Sequence, residues 1–102
     1  NRISSQVRIE IEVKNLKEFK KALKLNPNTI MLDNMSIEDM KKAVKIRSCL
    51  SPNTYHLTPK LEASGGITLK NVKQVASTGV DMISIGALTL SVNSVDISLE
   101  II

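Results

Sequence analysis

The chain has 102 residues, 42% of them hydrophobic, which is enough for one small domain with a modest core. The net charge is +4 and aromatic residues make up only 2%, which argues against a nucleic-acid surface built on aromatic stacking. With a single cysteine, Cys49, and a single histidine, His56, the chain has no internal disulfide and little support for a Cys/His metal site. The lack of an internal disulfide fits a reducing cytosol, so we expect a cytoplasmic protein, and no apolar run is long enough to span a bilayer, so we expect no membrane partner.

The first half of the chain predicts two strand–helix units. The alternation of apolar and charged residues from Val7 to Val13 indicates a strand whose charged face carries Glu12. The continuous apolar run from Thr29 to Leu32 is typical of a strand that is covered on both faces, and Asp33 comes at its end. An amphipathic helix follows each strand, and the residues placed to cap these helices are Asn15 and Ser36.

The second half repeats this unit after an irregular stretch, Arg47–Pro59, which is rich in turn-forming residues. The third strand runs into Ser64-Gly65-Gly66, and the next helix is expected to begin directly after them with Thr68 as its cap. Asp81–Ile85 predicts the fourth strand, which ends at Gly86-Ala87. A short helix and a last strand are expected in the tail, Ser91–Ile102.

Strand–helix units in succession imply an α/β fold with parallel strands joined by right-handed crossovers. The polar strand ends recur at spacings of 21, 31 and 22 positions, the middle one being longer by about the irregular stretch, and this repeat suits a (β/α) barrel or an open doubly wound sheet. The chain does not start with Met, so we expect a piece of a longer protein.

Polar residues and glycines gather at the carboxyl ends of the predicted strands, where parallel α/β folds bind ligands. The Gly65-Gly66 pair allows backbone N–H groups to approach a ligand, and a helix starting there would add its positive end, which predicts a phosphate cradle shared with Gly86-Ala87. Glu12 and Asp33 would lie beside it, where carboxylates accept hydrogen bonds from sugar hydroxyls, hold Mg²⁺ or stabilise positive charge at a ribose carbon. The residues therefore predict a site for a phosphorylated sugar. Glu62 belongs to the same set of strand-end residues without an assigned role.

Four stretches then occur in the order Ile9–Val13, Ile30–Ser36, Leu61–Leu69 and Ile85–Thr89. Together they resemble the C-terminal part of quinolinate phosphoribosyltransferase, the carboxylating nicotinate-nucleotide pyrophosphorylase of NAD biosynthesis. The closing Asp96–Leu99 also resembles the end of that family. The resemblance covers nearly the whole chain and implies the C-terminal portion of a (β/α) barrel that is incomplete as a stand-alone barrel.

The resemblance implies a glycosyl-transfer reaction. Quinolinate attacks C1 of phosphoribosyl pyrophosphate with Mg²⁺ present and loses CO₂, which gives nicotinate mononucleotide and pyrophosphate. Glu12 and Asp33 would be the catalytic carboxylates that contact the ribose and the metal–pyrophosphate region. The implied phosphate-binding residues are Ser64, Gly65, Gly66, Gly86 and Ala87.

The resemblance also implies parts that this chain lacks. Residues 1–102 would form a single segment, with the N-terminal sandwich domain and the first barrel strands, including the basic quinolinate contacts, upstream. Family members use a partner subunit to complete the site, so a homodimer or larger assembly is implied, and the segment alone is expected to be inactive. Where the family has a histidine after its Gly-Ala-Leu-Thr run, this chain has Leu90.

Two alternatives stay open from the sequence. One is the molybdenum-transport-associated pyrophosphorylase relative, which differs in the base it uses. The other is a non-catalytic or decayed fragment that packs against a partner chain, which Leu90 and the missing upstream part favour.

Overall fold

A computed structural model describes residues 8–50 and 58–92 and contains one five-stranded sheet with helices against its apolar face. The strands are β1 Glu10–Val13, β2 Thr29–Asp33, β3 Lys60–Ser64, β4 Met82–Ile85 and β5 Leu88–Ser91. The helices are α1 Leu16–Leu23, α2 Ile37–Ser48 and α3 Val72–Ala76. None of the helices in the described part of the chain is long and apolar enough to cross a membrane.

The strands lie in the order β1-β2-β3-β4-β5, and the first four are parallel to their neighbours. The prediction of parallel strands is confirmed for those four. The fifth strand returns antiparallel through a two-residue hairpin at Gly86-Ala87, with Ile85 paired to Leu88. Gly86 has a φ of +59°, and a positive φ at the first central residue of such a hairpin favours glycine. This hairpin was not predicted from the sequence, and the strand expected near the end of the tail falls beyond residue 92, outside the described residues.

Both predicted caps on the first two helices are confirmed. The Asn15 side chain accepts a hydrogen bond from the Glu18 backbone N–H at 2.8 Å, and the Glu18 carboxylate accepts one from the Lys14 N–H at 2.8 Å. This arrangement is similar to a capping box, except that the glutamate bonds to the N–H one residue before the cap, and it satisfies backbone donors at the helix start. Ser36 Oγ likewise accepts from the Asp39 N–H at 3.1 Å.

The predicted irregular stretch from Arg47 is wrong at its beginning, because α2 continues through Ser48. Arg47 is held there by long-range contacts: its guanidinium donates to the Pro59 carbonyl at 3.2 Å and to the Asp81 carboxylate. The Asp81 carboxylate also accepts from the Leu61 N–H at 2.9 Å, which ties α2 to β3 and β4. Tyr55 and His56 lie outside the described residues.

The sheet has one apolar face and one polar face, and the register defines both. Val13, Leu32, Ala63 and Ile83 form one row across β1 to β4, and all four are buried. They pack with buried helix residues, among them Phe19, Ala22, Met40, Ala43, Val72 and Val75. The neighbouring row on the opposite face is Glu12, Met31, Glu62 and Met82. The helices therefore leave this second face for the polar strand-end residues.

Candidate functional site

The polar face carries Glu12, Asp33 and Ser64 near the carboxyl ends of three adjacent strands. Asp33 pairs in register with Ser64, and Glu12 pairs with Met31, two positions before Asp33. Since side chains alternate along a strand, residues two apart and residues paired in register project from the same face. The three predicted site residues therefore lie together at one edge, and their roles in binding stay predictions.

Lys14 connects the two predicted catalytic carboxylates. Its Nζ lies 2.6 Å from Asp33 Oδ2 and 3.7 Å from Glu12 Oε2. Lys14 was not predicted as a site residue, although its position two residues after Glu12 places it on the same face of the chain. The Asp33 side chain is only 15% exposed, whereas that of Glu12 is 55% exposed.

This contact shifts both ionisable groups in the direction that keeps them charged. The hydrogen bond from Lys14 lowers the pKa of Asp33 below its usual value, and the same bond raises the pKa of Lys14. At neutral pH the edge therefore presents a carboxylate and an ammonium side by side. Such a pair offers acceptors for hydroxyl groups and one cationic donor for a phosphate oxygen.

Glu62 is the most buried carboxylate of the polar face and was left without a role in the sequence analysis. Glu62 is 7% exposed, and its carboxylate accepts a hydrogen bond from Ser84 Oγ. Ser84 Oγ also lies 3.0 Å from Thr89 Oγ1, so β5 completes the chain of hydroxyls. A buried carboxylate requires such partners because desolvation is costly without them. The signal in the sequence was a carboxylate between two apolar residues, Leu61 and Ala63, in the middle of the strand.

The glycine turn after β3 is packed against Asn34. Gly65 and Gly66 have φ values of +85° and +69°, and a Cβ on Gly65 would lie 2.5 Å from Asn34 Nδ2. The Asn34 backbone N–H donates to the Ser64 carbonyl at 2.8 Å, and its side-chain amide donates to Asp33 Oδ1 at 3.3 Å. The space that a side chain at Gly65 would occupy is thus filled by the Asn34 amide, which also forms a hydrogen bond with Asp33.

The helix after the glycine turn does not begin where the sequence analysis placed it. Thr68 Oγ1 accepts from the Lys70 N–H at 3.2 Å, but it caps only a turn, and α3 begins at Val72. Asn71 closes this turn, since its side chain accepts from the Thr68 N–H at 2.9 Å and donates to the Gly66 carbonyl at 3.0 Å. The prediction that a helix end lies directly at the glycines is therefore wrong.

Gly86 and Ala87 lie at the same edge as Gly65, but as the tip of the β4–β5 hairpin. Both are exposed, and a Cβ on Gly86 would meet nothing within 4 Å among the described atoms. Leu90 pairs with Ile83 in the hairpin and packs, partly buried, against the apolar core. The structure thus provides Ser64–Gly66 as a packed turn and Gly86-Ala87 as an open one.

The side chains at this edge that could coordinate a magnesium ion are the carboxylates of Glu12 and Asp33. Within the ranges 8–50 and 58–92, no group of three or more His, Cys, Asp or Glu residues is arranged to hold a metal ion. Mg²⁺ is commonly held by one or two carboxylates together with substrate phosphates and water. The donor set therefore fits a metal that arrives with a pyrophosphate group and does not fit an all-protein metal cage.

Comparisons with known proteins agree with one another. The family model described as quinolinate phosphoribosyl transferase, C-terminal domain, matches residues 1–100. A curated relative from Methanocaldococcus jannaschii, named probable nicotinate-nucleotide pyrophosphorylase (carboxylating), is 45% identical over 100 residues, which cover 98% of this chain and 35% of the relative. A relative from Mycobacterium leprae, named nicotinate-nucleotide pyrophosphorylase (carboxylating), is 39% identical over 92 residues, which cover 90% of this chain and 31% of the relative.

The solved structure of the nicotinate-nucleotide pyrophosphorylase from Francisella tularensis superposes with a TM-score of 0.67 at 37% identity. The match covers 84% of this chain and 28% of that structure. It confirms the predicted fold class, a partial barrel-type α/β fold. The chain spans about a third of the length of the curated relatives it matches.

Proposed function

Since this chain belongs to the quinolinate phosphoribosyl transferase family, whose C-terminal domain it matches, we propose that it supplies the ribose-phosphate side of phosphoribosyl transfer to quinolinate. In this reaction the ring nitrogen of quinolinate forms a bond to C1 of phosphoribosyl pyrophosphate, pyrophosphate leaves, and one carboxyl group departs as CO₂. The single observation that carries the proposal is the contact of Lys14 with both Glu12 and Asp33, on the face that also carries Ser64.

Each group at this edge has a role that follows from its charge. Asp33 stays ionised at neutral pH because Lys14 lowers its pKa, so it accepts hydrogen bonds from ribose hydroxyls and stabilises positive charge at C1 without donating a proton. Glu12, which is more exposed, supports the same region. The Lys14 ammonium neutralises negative charge on the departing pyrophosphate.

The 5′-phosphate is assigned to the turn after β3. Ser64 offers a hydroxyl, and the backbone N–H groups of Gly65 and Gly66 are donors that a phosphate accepts. Gly86 and Ala87 are assigned to the same phosphate because the β4–β5 hairpin tip lies at the same edge. Mg²⁺, when bound with the substrate, supplies charge neutralisation on the pyrophosphate, and Glu12 and Asp33 are the residues that would hold it.

We assign turnover to a larger assembly than residues 1–102. Lys14 is the cation in contact with the described site carboxylates, whereas quinolinate brings two carboxylates that need further cationic partners. The segment would thus act as the barrel part of a cytoplasmic homodimer or larger assembly and be inactive alone. A non-catalytic role stays as the second candidate, because Leu90, where the resemblance implies a histidine, is an apolar residue packed against the core.

Calorimetric titration of the chain with phosphoribosyl pyrophosphate and Mg²⁺ tests the proposal. We expect saturable binding that weakens about tenfold in Glu12→Gln, because a charge-assisted contact is worth about 1.5 kcal/mol or more. Glu10→Gln is the matched control, since Glu10 lies on the same strand and face and is exposed. Equal affinity in both variants would contradict the assignment. A folded chain that binds no phosphoribosyl pyrophosphate would support the non-catalytic candidate.

A further inference from the structure

A second cleft lies at the opposite end of the sheet, at the amino ends of the parallel strands. Its volume is about 340 Å³, and its lining includes Arg8, Asn28, Thr29 and Lys60. Thr29 and Lys60 are the first residues of β2 and β3 and pair in register, whereas Asp33 and Ser64 end the same two strands. The cleft is therefore separated from the proposed catalytic edge by the full length of these strands.

The lining of this cleft includes two cationic side chains, those of Arg8 and Lys60. Arg8 and Lys60 are exposed, and neither forms an ion pair with a described residue. No carboxylate is among the described lining residues. Glu10 pairs with Thr29 in register but does not line the cleft. Two cations thus line the same cleft, and within residues 8–50 and 58–92 no carboxylate forms an ion pair with either of them.

Asn28 is held so that its amide donor is available. Its Oδ1 accepts from the Ile9 N–H at 2.7 Å, which leaves the side-chain NH₂ group as a donor. The Asn28 backbone is also fixed on both sides, because its N–H donates to the Ile9 carbonyl at 2.8 Å and its carbonyl accepts from the Lys60 N–H at 3.0 Å. This neutral donor is therefore positioned before any ligand arrives, and preorganisation lowers the entropic cost of binding.

We propose that this cleft binds a small phosphate-bearing anion. A guanidinium can hold two phosphate oxygens at once, an ammonium adds a point charge, and the amide NH₂ adds a neutral hydrogen bond. The volume is at the low end of the roughly 300–1,000 Å³ range of ligand pockets, which suits an anion of pyrophosphate size and not a dinucleotide. The catalytic edge differs because carboxylates dominate it. The proposal stands independently of the proposed transferase function.

The test is an NMR titration of the ¹⁵N-labelled 102-residue chain with inorganic pyrophosphate at constant ionic strength and without Mg²⁺. We expect saturable shifts of the Asn28, Thr29 and Lys60 amides. Arg8→Gln and Lys60→Gln should each weaken the affinity by roughly threefold to tenfold, because each removes one exposed charge-assisted contact. The amide spectrum of each variant also reports whether it is folded.

Lys17→Gln is the matched control, since it removes the same charge from an exposed position on α1. An unchanged affinity in this control supports a defined site. A loss in Lys17→Gln equal to that in Lys60→Gln would show a general charge effect and overturn the proposal. Shifts confined to the Ser64–Gly66 amides, or no saturable shifts at all, would also overturn it.

Discussion

Replacing Gly65 with alanine is the sharpest test of how the glycine turn is built. The new Cβ would lie 2.5 Å from Asn34 Nδ2 and 2.7 Å from Asn34 Cγ, distances at which the asparagine side chain must move. A non-glycine residue at a φ of +85° also costs about 1–2 kcal/mol. Displacing Asn34 from its hydrogen bond to Asp33 adds about 1 kcal/mol. We therefore expect Gly65→Ala to lower the free energy of unfolding by about 2–3 kcal/mol.

Two further variants separate the two contributions, measured by urea unfolding followed with circular dichroism. Gly86→Ala is the matched control, because Gly86 also has a positive φ but no described atom within 4 Å of the added Cβ, so only the backbone cost of about 1 kcal/mol applies. Asn34→Gly removes the obstructing side chain while accommodating the φ of +57° at that position. In a double-mutant cycle, the Gly65→Ala effect should fall toward that of Gly86→Ala when residue 34 is glycine. Equal effects of the two alanine substitutions in the parent chain would refute the packing argument.

Three other predictions concern the long-range contacts. Arg47→Met should lower the free energy of unfolding by about 1.5–3 kcal/mol in urea titrations, because it leaves the Asp81 carboxylate without its cationic partner. A lysine-to-methionine substitution at an exposed position of the same helix should have a smaller effect. Because the pKa of Asp33 is lowered in the folded state, its contribution to stability is present above the unfolded-state pKa of about 3.9 and is lost as the pH falls through the folded-state value. The pKa of Lys14 is raised, so its contribution is lost as the pH rises through the folded-state value. Urea midpoints of Asp33→Asn should therefore decline less steeply in acid than those of the parent, and parallel declines would contradict this. Ser84→Ala should cost about 1–3 kcal/mol by removing the donor to buried Glu62, and an unchanged midpoint would exclude that role.

The charge arrangement at the two ends of the sheet also has a functional consequence. At the carboxyl edge, Lys14 forms an ion pair with Asp33 and partly neutralises its charge, so an anionic substrate approaches both positive and negative side chains. At the amino edge, neither Arg8 nor Lys60 forms an ion pair with a described residue. Because neighbouring carboxylates repel a phosphate and unpaired cations attract it, the two edges should differ in their dependence on Mg²⁺. Binding at the carboxyl edge should need the metal, whereas binding at the amino edge should not.

Local patterns were sufficient for most of the fold and for the location of the candidate site. Alternation and apolar runs identified β1 to β4, and side-chain oxygens at Asn15 and Ser36 identified two helix starts, because these signals act within a few residues. The position of Glu12 and Asp33 at the carboxyl ends of successive strands predicted that they lie near each other, and the register of β1 and β2 puts both on one face. The family resemblance followed from the same strand ends.

The tertiary structure alone decided the contacts that cross the sheet. Three features depend on partners about 12 to 34 positions away: the cation that contacts Asp33, the side chain that packs beside Gly65 and the helical position of Arg47. The antiparallel return of β5 likewise depends on its pairing with β4, since Gly86 permits a tight turn but does not specify the strand that follows it. Periodicity in one segment constrains the direction of its own side chains, but it carries no information about which distant atom they meet, because that is settled only when the strands pair and the helices pack.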